Sequence, residues 1–338
     1  MTLRGALIGC GFFAQNHLHA WKGLDGVEIV ALCDQERSRA ESYGQTFEIA
    51  DTYTDAGEML DSVELDFVDI ATKAPTHRAL VELAAARGVN VICQKPLAPS
   101  LEEARAIVAA TDDITFMVHE NFRWQRPMLE LKQAAVKVGD PFHGRVSFRS
   151  GFDVYANQPY LKTDERFILY DLGVHLFDLT RFFLGEAKSL LCHTARVNPE
   201  IKGEDVATAL LGMQNGAHAV VEMSYASQLE DELFPQTLVH LEGTEGSATL
   251  GADYQITVKS KFGVQKVDAS PEALPWATTP PNAIPESVVN IQKHFVECLR
   301  ESKTPDTSGE DNLKTLELTF GAYESAAENK LLKLGEGE

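Results

Sequence analysis

Leu3-Arg4-Gly5-Ala6-Leu7-Ile8-Gly9-Cys10-Gly11-Phe12-Phe13-Ala14 decides the fold. Residues 3–8 are a short apolar run that reads as a buried strand. The glycines read as a turn, and the mixed apolar and polar stretch through Trp21 reads as a helix. In that strand–turn–helix setting Gly9 to Ala14 spell G-x-G-x-x-A, the dinucleotide-binding fingerprint. Gly9 permits the tight turn, Gly11 lets backbone amides approach a pyrophosphate, and Ala14 keeps the helix close to the sheet, with Phe12 and Phe13 completing the cofactor loop. The helix N-terminus favours the phosphate charge. Taken singly, these residues would make an ordinary turn. Their joint spacing carries the reading.

Outward from this loop, Asp34 ends the second strand about 20 residues past the glycines, where a carboxylate accepts hydrogen bonds from ribose hydroxyls and repels a 2′-phosphate. That favours NAD, while Arg37 nearby leaves NADP open. The alternation continues with a helix over 36–44, a strand from Asp66 to Ala71, a helix from Pro75, a strand from Val89 to Cys93, a helix from Leu101 to Ala110, a strand from Thr115 to His119 and a helix starting near Gln125. Alternating strands and helices predict an α/β domain with a parallel, doubly wound sheet over 1–122.

Beyond Gly144 the rhythm changes. Ala207 to Met213 and Ala217 to Tyr225 are strand-like runs joined by Gln214-Asn215-Gly216, where Asn-Gly predicts a hairpin with positive φ at both turn positions. Thr237 to Glu242 and Ser247 to Leu250 form a second pair around Gly243-Thr244-Glu245-Gly246, and Tyr254 to Ser260 extends the sheet. Residues 123–338 are therefore expected to form an α+β domain with a large, mostly antiparallel sheet. Two amphipathic helices close it, one burying Val288, Ile291, Phe295, Cys298 and Leu299, the other Leu313, Leu316, Phe320, Tyr323 and Ala327. Ser308 and Asp311 resemble a capping box before the second. The proline-bearing stretch from Ser270 to Pro285 reads as a surface excursion.

The 338 residues exceed the span of one hydrophobic core, and 44% hydrophobic with 24% charged residues is ordinary globular composition. A net charge of −20 disfavours phosphate backbones and anionic bilayers, which leaves small neutral substrates as the better fit. No apolar run approaches a membrane span, and the N-terminus is unlike a signal peptide. Cys10, Cys33, Cys93, Cys192 and Cys298 are scattered and odd in number, which argues against disulfides or a zinc site and for a reducing cytoplasm. No compact metal-ligand motif is present, so no metal is expected.

Open α/β sheets bind ligands at the carboxyl ends of their strands, which places Gln94-Lys95-Pro96 beside the cofactor, and Asn121 and Arg123 on the same side for nicotinamide or substrate, with Arg123 equally able to anchor domain packing. Asp171 and His175 stand four apart, so a helix would put them on one face, with the carboxylate orienting the imidazole. Asp153, Tyr155, Tyr160 and Arg166 precede this pair, where polar side chains could contact a polar substrate or simply be solvated. His119 reads as buried structure.

Together these motifs make the chain resemble, over essentially its whole length, the family named after glucose-fructose oxidoreductase, inositol dehydrogenase and MocA proteins. The resemblance rests on the glycine fingerprint, Ile70-Ala71-Thr72 followed by Pro75 and His77, the Lys95-Pro96 pair, Asp171 to His175 and the Gly243 to Gly246 turn, in that order. It implies a Rossmann domain, a larger open-sheet domain, a homodimer or homotetramer, and oxidation of a sugar or cyclitol hydroxyl. It further implies cofactor contacts at Thr72, Pro75, His77, Gln94, Lys95 and Asn121. His175 would be the general base, Lys95 its assistant, and Asp171 a substrate-contact or orienting carboxylate. The family usually carries glutamate where this chain has Gln94, which removes a negative partner of Lys95. Gln94-Lys95-Pro96 and Val118 to Trp124 resemble the D-apiose dehydrogenase branch, which oxidises an anomeric carbon to a lactone. Myo-inositol or another aldose is the alternative substrate. A non-catalytic cofactor sensor is the alternative class, against which the presence of Lys95, Asp171 and His175 argues.

Overall fold

The computed structural model describes residues 2–156, 158–277 and 282–335. Two compact units make up the chain, Met1–Asn121 with Ser287–Lys314, and Phe122–Glu286 with Thr315–Glu338.

The first unit contains β1 (Leu3–Ile8), α1 (Ala14–Lys22), β2 (Val27–Cys33), α2 (Arg37–Phe47), β3 (Asp51–Tyr53), α3 (Ala56–Ser62), β4 (Phe67–Ile70), α4 (Ala74–Ala85), β5 (Asn90–Gln94), α5 (Leu101–Ala109) and β6 (Phe116–His119). Its strands are all parallel, in the order β3-β2-β1-β4-β5-β6. The chain leaves β1 toward one side of the sheet and β4 toward the other, which opens a crevice at their carboxyl ends. Every residue of β4 and β6 is buried, as expected of strands covered on both faces. α3 and α5 begin at side-chain caps: Asp55 accepts from the Glu58 amide at 2.8 Å, and Ser100 from that of Glu103 at 3.2 Å. The sequence reading had omitted β3 and α3, which are too short to show a period.

The second unit holds α6 (Arg126–Ala135), β7 (Pro141–Arg149), α7 (Val174–Leu184), β8 (Ala187–Ala195), β9 (Val206–Met213), β10 (His218–Ser224), β11 (Leu238–Gly243), β12 (Gly246–Leu250), β13 (Gln255–Ser260) and β14 (Gly263–Asp268). α8 (Ala283–Glu301), which belongs to the first unit from Ser287 on, α9 (Gly309–Glu328), which belongs to the second from Thr315 on, and β15 (Leu332–Lys333) follow. The nine strands run β14-β13-β12-β11-β7-β10-β9-β8-β15, antiparallel except where β7 meets β10. Val146, Leu211, Val221, Leu241 and Leu250 build its core with Leu176 and Phe177.

Three expectations are corrected. The sequence division sent everything after residue 122 to the second domain, whereas Ser287–Lys314 belongs to the first unit. Phe295 packs edge-on against Phe67, and the Val118 amide donates to the Thr307 carbonyl at 2.8 Å. The Asn215-Gly216 turn has positive φ only at Gly216 (+91°), because a third loop residue, Gln214, lets Asn215 stay in an ordinary conformation while its side chain accepts from the Ala217 amide. On α9 Leu316 is buried as expected and Leu313, Phe320 and Tyr323 are half-buried, but Thr315, Leu318, Thr319, Ala322 and Ser325 are buried too, and Ala327 is exposed. Buried hydroxyls shifted that stripe away from the purely apolar pattern, since Thr319 and Ser325 bond to backbone carbonyls. Of the excursion over 270–285, residues 278–281 lie outside the described residues.

Candidate active site

The cofactor loop follows β1. Gly9 has φ +101°, and a Cβ there would stand 2.7 Å from Thr72 Cγ2 and 3.0 Å from the Ala71 carbonyl, so only glycine fits. At Gly11 a Cβ would meet nothing within 4 Å, which leaves free space over that peptide. α1 begins with Phe13 as its N-cap, without a side-chain cap; the Ala14 and Asn16 amides donate to the Gly11 and Phe13 carbonyls, and no acidic residue in the first turn opposes an anion at this end. Asp34 Oδ2 accepts from the Cys10 amide at 2.7 Å and Oδ1 from that of Glu36 at 2.8 Å, tying the glycine turn to the end of β2. Tyr43 donates to the Gly11 carbonyl at 2.8 Å. This cradle fits a dinucleotide: room at Gly11, a helix N-terminus and a carboxylate at the ribose position.

The remaining first-unit candidates divide into two groups. Thr72 and Lys95 are half-buried at the carboxyl ends of β4 and β5, and Pro75 is exposed in the first turn of α4. Phe12 is exposed at the loop, whereas Phe13 lies edge-on to His17. His77 is fully buried, with its ring nitrogens 3.0 Å from the Leu97 and Thr72 carbonyls. It braces two loops and has no nitrogen left for nicotinamide. Burial pushes its imidazole below the ordinary range, against the opposing pull of those carbonyls. Gln94 turns inward too, bonding to the Lys95 amide and to His17, and Asn121 Nδ2 donates to Ser287 Oγ at 2.6 Å. The amide groups of these two are thus engaged by the protein itself.

In the second unit, Leu169–Gly173 is a π-helical turn that passes into α7. Asp171 stands in this turn, with its amide bonded to the Phe167 carbonyl, four residues back, at 2.8 Å. Glu204 accepts from the Leu169 amide at 3.0 Å and from the Tyr323 hydroxyl at 2.7 Å, bracing this turn. His175 is buried, and Phe122 stacks on its ring at 3.7 Å with planes 7° apart, fixing the imidazole plane while its edge carries the nitrogens. Tyr160 and Tyr225 flank Asp171. Burial, and after it the Asp171 charge, pushes both phenols up.

Of the two readings of Arg123, the structure shows the packing one. Its Nε donates to Asp178 Oδ2 at 2.8 Å and a terminal nitrogen to Oδ1, with Asp178 fully buried. Arg166 lies over the rings of Phe320 and Tyr323, at 5.5 and 5.4 Å. Asp153 is exposed and accepts from the Tyr155 amide at 3.1 Å, and Tyr155 tilts against Phe167 at 5.7 Å. Sequence reasoning missed Phe122, Glu204, His17 and Asp69. Asp69 left one signal, a carboxylate inside the apolar strand Phe67-Val68-Asp69-Ile70.

Among the described residues, no group of three or more His, Cys, Asp or Glu side chains is arranged to hold a metal, and no helix is long and apolar enough to cross a membrane. Residues 3–122 match the model of an oxidoreductase family with an NAD-binding Rossmann fold, and 131–249 match the GFO/IDH/MocA C-terminal domain. The chain is 53% identical over 336 residues to a D-apiose dehydrogenase from Paraburkholderia graminis, covering 98% of this chain and 89% of the relative. It is 50% identical to a D-apiose dehydrogenase from Rhizobium rhizogenes, covering 98% of each. A crystal structure of an oxidoreductase from Agrobacterium radiobacter, in complex with NAD+, L-tartaric acid and magnesium, superimposes with a TM-score of 0.98 at 50% identity, covering 99% of both chains.

Proposed function

Because the chain belongs to the Gfo/Idh/MocA family of NAD-binding oxidoreductases, we propose that it is the NAD-dependent dehydrogenase of D-apiose, oxidising the anomeric carbon to a lactone. The 53% identity to a D-apiose dehydrogenase across 98% of the chain carries the choice of sugar. The cradle of Gly9, Gly11 and Asp34 supports NAD over NADP, since a carboxylate at the ribose repels a 2′-phosphate. Domain roles follow: residues 1–122 carry the cofactor, and 123–286 with 315–338 the sugar-reading surface and the contacts of a homodimer or homotetramer.

When bound, NAD supplies the hydride acceptor. The chain's own residues supply the proton chemistry. A ring nitrogen of His175 takes the proton of the anomeric hydroxyl, and the Phe122 stack keeps that nitrogen's lone pair in a fixed plane. Lys95 Nζ orients the hydroxyl oxygen and stabilises the negative charge that grows on it as the proton leaves. Asp171, held by the π turn and its Glu204 brace, contacts the sugar hydroxyls and sets the imidazole's orientation. Asp153, Tyr155, Tyr160 and Arg166 border the sugar, Arg166 through its exposed side. The five unbridged cysteines support a cytoplasmic location.

The test is NADH formation from D-apiose, with myo-inositol and other aldoses as competitors, NADP as the alternative cofactor and His175→Ala as control. Turnover with NAD and D-apiose that drops by about a hundred-fold to ten-thousand-fold in His175→Ala is expected. No reduction of either cofactor by any of these substrates refutes the dehydrogenase reading and favours a sensor.

A further inference from the structure

A hydrogen-bond chain lies behind Lys95 in the first unit. The Trp21 indole N–H and the His17 Nδ1 both reach Asp69 Oδ2 at 2.7 Å. His17 Nε2 lies 3.1 Å from Gln94 Nε2, and Gln94 Oε1 accepts from the Lys95 backbone amide at 2.7 Å. The His17 and Asp69 side chains are 0% exposed.

The protons along this chain can be assigned one by one. A peptide N–H only donates, so the Gln94 atom that meets Lys95 is the amide oxygen, and the NH2 group must face His17. His17 Nε2 then accepts. The imidazole proton therefore sits on Nδ1 and is donated to Asp69, whose carboxylate ends the chain.

We propose that Trp21, Asp69, His17 and Gln94 form a positioning chain for the Lys95 peptide, in which Gln94 holds His17 as the neutral Nδ1–H tautomer. The functional consequence rests on the reading of Lys95 as an active-site group.

The groups facing His17 favour this assignment. Asp69 reaches it from β4, Gln94 from β5, the His119 ring from β6 stacked at 4.2 Å, and Gln292 from α8 through the His17 carbonyl at 3.4 Å. Cys93, adjacent to Gln94 in sequence, is kept as a thiol by burial and then by the Asp69 charge. Asp69 would attract an imidazolium. A second ring proton, however, would set N–H against N–H at Gln94, with no acceptor in the glutamine's fixed orientation. A glutamate at position 94 would reverse this. With one carboxylate oxygen still on the Lys95 amide, the other would face the Nε2 lone pair, and one proton from solvent would be needed between them.

The experiment is 15N NMR of the histidine rings in the full chain from about pH 6 to about pH 9, with His17 assigned through its proximity to the Trp21 indole proton. Wild-type His17 is expected to show a protonated Nδ1 and an unprotonated Nε2 throughout. Gln94→Glu is expected to take up a proton at the acidic end and to add an ionisation to the pH profile of kcat, and Gln94→Met to lower kcat by up to about a hundred-fold through misplacement of Lys95. A wild-type ring protonated on Nε2, or doubly protonated in this range, overturns the proposal, as does a Gln94→Glu variant matching wild type in both ring signals and pH profile. The tautomer is read without substrate. Correct ring signals without turnover would count against D-apiose and spare the chain of bonds, whereas turnover with the wrong tautomer would do the reverse.

Discussion

Asp178→Asn is the most direct perturbation of the second unit. The Asp178 carboxylate is fully buried, forks onto Arg123, lies 3.9 Å from an Arg181 nitrogen and accepts from Thr315 Oγ1 at 3.3 Å. Arg181 keeps Glu186 as a counter-charge at 2.9 Å, but Arg123, whose side chain is 9% exposed, has its fork on Asp178. Replacing the carboxylate by an amide turns an NH2 group toward a guanidinium and leaves that charge buried, which costs about 3–5 kcal/mol. With an m-value of about 3 kcal/mol/M in urea, the midpoint should fall by about 1–1.7 M. The companion Arg123→Met/Asp178→Leu removes both charges and is expected to be more stable than Asp178→Asn alone. Urea titration followed by tryptophan fluorescence reads both. A midpoint shift in Asp178→Asn below about 0.3 M, or a double variant less stable than the single, refutes the reasoning. The double variant also tests Arg123 directly: its KM for sugar should stay at the wild-type value, and a large rise would return Arg123 to the substrate.

Two further outcomes follow from the first unit. Gly9→Ala should destabilise the fold by about 1–3 kcal/mol because its φ is wrong and Thr72 blocks the methyl, while Gly11→Ala should leave thermal stability unchanged and remove most of the NAD-induced rise in Tm; equal behaviour of the two variants would contradict the cradle. Burial depresses the His77 pKa, so the unfolded chain takes up a proton below about pH 6.5 that the fold resists. The stability contributed by that group is complete above this pH and is lost as pH falls toward the folded value, and His77→Gln should flatten this acid limb in urea midpoints measured from about pH 7.5 to about pH 5.

What the sequence disclosed is what local geometry dictates. Gly9, Gly11 and Asp34 could be placed because a turn that needs positive φ and a carboxylate at a strand end are properties of short segments. Lys95 and Asn121 could be located at strand ends for the same reason, but not the direction of their neighbours' side chains. Gln94 faces His17, 77 residues earlier in the chain, and Arg123 meets Asp178, 55 residues later. Such pairs depend on tertiary contact and leave no period to read. The π turn at Leu169–Gly173 was hidden because its composition suits an α-helix equally well. It is the Glu204 brace, supplied from before β9, that marks the start of that turn.

The return of Ser287–Lys314 to the first unit bears on synthesis and on engineering. β6 is the last strand of its sheet, and the segment that pairs with it, through Thr307 and the bridge between Met117 and Ser308, is made some 190 residues later. Until then a nascent chain carries an uncovered strand edge and the bare faces of Phe67 and Phe116, which Phe295 and Gly309 later contact. Cutting after residue 122 would yield a sticky fragment rather than a minimal cofactor domain. A usable excision has to graft 287–314 back on, and a ribosome-bound chain has to wait for its own ending before its beginning can close.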